Sequence, residues 1–72
     1  MGLLSNFSGK EAIKIFQKFG YKIDHQTGSH MILFHELRPT LSIPNHKELA
    51  PGLVRGLIRK SGLSVEEFLK AK

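Results

Sequence analysis

Across residues 8–19 the apolar side chains Ala12, Ile13, Phe16 and Phe19 recur at helical spacing, and Ser8 with Glu11 three residues on is a capping-box start. Gly20 supplies the stop. Lys10, Lys14 and Lys18 form a column at i, i+4, i+8 opposite the apolar stripe, so the pattern predicts an amphipathic helix with a basic outer face. From Tyr21 the period shortens to two. Tyr21, Ile23 and His25 alternate with Lys22 and Asp24, which predicts a strand closed by the turn chemistry of Gln26, Thr27 and Gly28. Residues 29–35 are rich in β-formers and apolar on both phases, as a central strand is; the pattern leaves open which phase faces inward. After a second turn at residues 36–39, Thr40, Leu41, Ser42 and Ile43 alternate until Pro44 stops the ladder. A polar connection over residues 45–50 leads to Pro51 and then Leu53, Val54, Leu57 and Ile58, a helix with proline in its first turn that ends at Gly62. Ser64 with Glu67 is a second capping box, opening a short helix in which Val65, Phe68 and Leu69 can cover a core.

The order is helix, three antiparallel strands, helix, short helix. The expected fold class is therefore α+β, with a three-stranded antiparallel sheet carrying its helices on one face. Residues 1–72 contain no internal repeat, low-complexity tract or dividing linker, so they are expected to form one domain, loose only in the first few residues and at residues 70–72.

Length tightens this picture. A chain of 72 residues buries only about 60% of its unfolded surface, which excludes a two-domain enzyme and makes every core side chain count. There are no cysteines, so a disulfide framework and a thiolate zinc site are excluded, and a cytoplasmic location is expected. No apolar run approaches the ~20 residues of a membrane span, and residues 1–7 are too short for a signal sequence. Asn6 also occupies the position where an acylation motif at Gly2 needs Ser or Thr.

Charge points to a partner. The net charge is +5 and the isoelectric point about 9.9, so an anionic partner is expected, either nucleic acid or an acidic protein. Any one of Lys10, Lys14, Lys18 and Lys22 is ordinary as a solvated side chain; the overall imbalance is the signal.

The acids Glu11, Asp24, Glu36, Glu48, Glu66 and Glu67 are scattered, a poor basis for a two-metal nuclease that needs carboxylates converging on cations about 4 Å apart. His25, His30, His35 and His46 include no i, i+4 pair on a predicted helix, and no metal or cofactor is expected. Histidine does exchange protons near neutral pH, which is what metal-free RNA cleavage needs. In that reaction a base takes the 2′-hydroxyl proton, the oxygen attacks phosphorus, and cations stabilise the developing charge. His30 is the best placed of the four, since Gly28 and Ser29 deliver it straight from a turn, and turn amides with the Ser29 hydroxyl could bind a phosphate beside it.

The Gly28-Ser29-His30 triplet in the second half of a hairpin, Pro44, the segment HKELAPG (residues 46–52) and the following LVRGLIRKSGLSVEEFL resemble the HicA-type toxins. The resemblance runs over about residues 8–69. It implies a fold like the double-stranded-RNA-binding domain, an α-β-β-β-α layout, and an mRNA endonuclease that inhibits translation and is neutralised by a HicB-type antitoxin covering its active face. By motif position the catalytic histidine is His30, framed by Gly28 and Ser29. Lys47 and Arg55 match the family's basic positions and, with Lys22, are candidate contacts for RNA phosphates or for antitoxin carboxylates. Phe34 stands where many members carry a basic residue. If His30 faces the open side, Ile32 and Phe34 lie beside it as an apolar patch; if not, they pack under the helices.

The expected function is thus a metal-independent endoribonuclease toxin working in a hetero-oligomer with its antitoxin. No second acid–base residue is obvious, and His46 and His25 are the candidates. The alternative is a non-catalytic double-stranded-RNA-binding module, which the same topology would allow. Against it, the helix opening at Pro51 lacks the lysine cluster such modules use to span phosphates.

Overall fold

Ser8 closes its capping box as the sequence predicts: its hydroxyl accepts from the Glu11 amide at 3.1 Å and its own amide donates to Glu11 Oε1 at 2.9 Å. Helix α1 (Gly9–Gln17) follows, burying Ala12, Ile13, Ile15 and Phe16. The computed structural model describes residues 3–72; Met1 and Gly2, on which the acylation expectation falls, lie outside the described residues. After α1 come strands β1 (Lys22–Thr27), β2 (His30–Phe34) and β3 (Leu41–Pro44), then helices α2 (Pro51–Ser61) and α3 (Val65–Lys70). The sheet order is β1-β2-β3, antiparallel throughout, with β2 in the centre.

Burial settles the phase of the central strand. Leu33 is buried, as are Leu41 and Ile43 on β3, while the opposite phase of β2 carries His30, Ile32 and Phe34, the last 47% exposed. The helices therefore cover one face only, and His30, Ile32 and Phe34 lie together on the other. The inner face, α1 and α2 share one apolar cluster that also contains Leu4, Phe7, Leu49, Val54, Ile58 and Phe68. Phe68 is its hub on the helical side, with ring centroids 5.4 Å from Phe7 and 5.1 Å from Phe16.

Several local expectations are corrected. Gln26 and Thr27 belong to β1, and the turn is Gly28-Ser29 alone, because Thr27 pairs directly with His30. Only Gly28 of the two has positive φ (58°), the pattern of a type II′ hairpin turn whose twist matches that of its strands. Tyr21 precedes the strand and is buried, its hydroxyl donating to the Pro39 carbonyl at 2.8 Å; that burial raises the phenol above its ordinary 10.0, against a smaller opposing pull from Arg38. His35 leaves β2, since its ring bonds the Phe19 carbonyl (2.9 Å) and accepts from the Leu37 amide (2.9 Å). Pro44 is the last residue of β3 rather than a stop before it, which an edge strand tolerates. The described part of the N-terminus is not loose: Leu4 and Phe7 are buried, and Phe7 bridges to Leu49. Nor is the end of the chain, where Lys18 Nζ donates to the Ala71 carbonyl at 2.6 Å and Lys72 sits 5.1 Å over the Phe7 ring.

Candidate functional site

His30 starts β2 immediately after the two-residue turn, and its side chain is exposed on the open face. It makes no side-chain hydrogen bond among the described residues, so both ring nitrogens are available to a ligand. The backbone around it is fixed on both sides. Thr27 is its partner on β1 and Pro44 its partner on β3, and the Asn45 amide donates to the Ser29 carbonyl at 2.7 Å. The Gly9 amide then donates to the His46 carbonyl at 2.8 Å, joining the start of α1 to the same end of the sheet.

That junction is tight. A Cβ on Gly9 would collide with the Pro44 carbonyl and lie 3.1 Å from Asn45 Cα, so only glycine lets α1 approach the loop after β3 this closely. Ser8, Lys10, Asn45, His46 and Lys47 line a shallow hollow there. The structure thus brings Gly28, Ser29, His30 and Lys47 to one end of the sheet.

Lys22 is on the open face too, but opposite Phe34. Four residues of strand, about 13 Å, separate that pair from His30. Arg55 is not on this face. It stands on α2 in the helical layer, lining a hollow with Ile58, Arg59, Leu63 and Val65.

The bulge in β1 is the feature that strand alternation misses. Lys22 pairs with Phe34 and Ile23 with Leu33, but the next pair is His25 with Ile32, so Asp24 is an extra residue in the ladder. In an unbroken ladder Asp24 would face Ile32, and His25 would oppose Met31 on the inner phase. The bulge carries His25 to the open face instead, with Thr27, His30 and Ile32. There His25 Nδ1 lies 2.7 Å from Asp24 Oδ2, both side chains more than half exposed. A repeating pattern cannot reveal an inserted residue; the signal in the sequence is a histidine that the alternation puts on the inner phase with Tyr21 and Ile23, next to an aspartate.

No three His, Asp or Glu side chains among the described residues are grouped so as to hold a cation. The chemistry on offer is proton exchange by exposed imidazoles on an apolar-and-basic strand face.

The family model described as HicA toxin of bacterial toxin-antitoxin matches residues 9–63. No curated protein matches the chain.

Proposed function

The chain belongs to the HicA toxin family of bacterial toxin–antitoxin systems, and from that premise we propose that it is an endoribonuclease toxin that cleaves mRNA, without a metal, using His30 as its acid–base group, and so inhibits translation. The observation that carries this reading is the exposed His30 side chain, without a side-chain hydrogen bond among the described residues and placed directly after the Gly28-Ser29 turn on the uncovered face. His30 takes the 2′-hydroxyl proton as that oxygen attacks the adjacent phosphorus. Lys47 and the turn of Gly28 and Ser29 hold the phosphate at that end, and Lys22 meets the RNA further along the face. Arg55, on the helical layer, serves a separate contact with RNA or with an acidic partner.

The family pairs with an antitoxin. Its docking surface in this reading is the same open face, where exposed Phe34 and the half-buried Ile32 give an antitoxin of the HicB type an apolar area to bury and Lys22 a cation to pair. Covering that face removes His30 from RNA.

The test is controlled expression of the wild type beside His30→Ala, following growth and the integrity of cellular mRNA. Arrest with cleavage only in the wild type supports the reading. Cleavage by both sinks the assignment of His30, and RNA binding without cleavage by the wild type favours the non-catalytic binding module.

A further inference from the structure

One imidazole can take the proton from the attacking 2′-oxygen, but the leaving 5′-oxygen also needs a proton, and a single strand histidine does not obviously provide both. Three other histidines are available, and the structure separates them. His35 has both ring nitrogens engaged, one on the Phe19 carbonyl and one on the Leu37 amide, so it has no free nitrogen to give a substrate. His46 is exposed in the loop after β3, whose backbone is tied to the start of α1 through the His46 carbonyl, and so lies outside the strand ladder that fixes His25 against His30. His25 alone shares the open face with His30.

Their relationship follows from the register. His25 is opposite Ile32 and His30 is opposite Thr27, so the two histidines are diagonal neighbours on one face of adjacent antiparallel strands. Such positions have Cα atoms about 7–8 Å apart, which leaves room for one phosphodiester between two imidazoles. His25 is also oriented. Asp24 Oδ2 at 2.7 Å accepts the proton on Nδ1, which leaves Nε2 without a partner among the described residues and free for exchange. Both the facing and the orientation come from the bulge at Asp24.

We propose that His25 is a second catalytic residue, the general acid to His30's general base, with Asp24 as its positioning residue. This rests on the endoribonuclease reading above. His30 accepts the proton of the 2′-hydroxyl, the 2′-oxygen forms a bond to phosphorus, and the bond from phosphorus to the 5′-oxygen breaks. The departing oxygen takes its proton from Nε2 of the His25 imidazolium. The products are a 2′,3′-cyclic phosphate and a free 5′-hydroxyl, and one later proton exchange with water restores each histidine.

The test compares an oligoribonucleotide cleaved by the wild type with the same oligonucleotide carrying sulfur in place of the leaving 5′-oxygen. A thiolate departs without a proton, so only the first substrate needs a general acid. His25→Ala is expected to lose about 10²–10⁴-fold on the oxygen substrate and to stay close to the wild type on the sulfur substrate. His30→Ala is expected to be slow on both. His25 is exposed, so the fold is expected to survive its replacement, and a thermal melt of each variant checks this. Equal rates for His25→Ala and the wild type on the oxygen substrate, or equal losses on both substrates, overturn the acid role while leaving His30 in place. A wild type that cuts neither substrate, or a His30→Ala that cuts like the wild type, overturns the underlying reading and this one with it.

Discussion

The Asn45 amide donates to the Ser29 carbonyl at 2.7 Å, so the loop leaving β3 is fastened to the turn that delivers His30. One residue later the His46 carbonyl accepts from Gly9, and the first turn of α1 is fastened to the same loop. The end of the sheet bearing the candidate site is therefore held by backbone, and its side chains are left for ligands.

Gly9→Ala tests that junction. A methyl group there meets the Pro44 carbonyl, and relieving the collision should cost about 1–3 kcal/mol in urea unfolding. Gly56→Ala is the control: it is within α2 with no atom near an added Cβ, and should stabilise by about 0.4–1 kcal/mol.

The phase of β2 makes an asymmetric prediction for neighbouring residues. Leu33→Ala empties a fully buried site and should cost about 2–5 kcal/mol. Phe34→Lys, on the open face, should change stability by about 1 kcal/mol or less and leave the fold intact by circular dichroism. On the proposed function it should also weaken antitoxin binding, measured by titration calorimetry.

Phe68 lies beyond the span matched by the family model, yet it packs on both Phe7 and Phe16. Phe68→Ala should cost about 3–5 kcal/mol, a large part of the stability of so small a core. A chain ending at Leu63 should accordingly fail to give a cooperative thermal melt.

Acid should destabilise the protein through its helix caps. The Ser8 amide, and then its hydroxyl, hold the Glu11 carboxyl below its ordinary 4.5, and Ser64 does the same to Glu67. A carboxyl whose folded pKa is lowered contributes stability above the unfolded value and loses it as pH falls through the folded one. The melting temperature should therefore drop as pH goes below about 4.5, and Glu11→Gln with Glu67→Gln should flatten that dependence while lowering the melting temperature at neutral pH.

Replacing Asp24 probes the positioning of His25. Asp24→Asn removes the carboxylate charge that faces His25 Nδ1, so on the oxygen substrate its rate should fall between those of the wild type and His25→Ala. A rate below that of His25→Ala would point to damage to the strand instead.

What the sequence determined by itself is what neighbours in the chain decide. Both capping boxes bond residues three apart and the stripe of Ala12, Ile13 and Phe16 needs only helical spacing, so each was readable from its own few residues, whereas of the turn only Gly28 was, because the pairing of Thr27 with His30 sets its length. The motif around His30 and the α+β order were legible for the same reason. The tertiary structure alone decided which phase of β2 is covered, because residues 29–35 are apolar on both and only packing against α1 and α2 distinguishes Leu33 from Ile32 and Phe34. It also placed Lys22 and Arg55 away from His30, since their positions depend on strand register and on the docking of α2. The same holds for His25. Its side of the sheet is set by a one-residue bulge, and a bulge exists only in the pairing of two strands, not in the pattern of either.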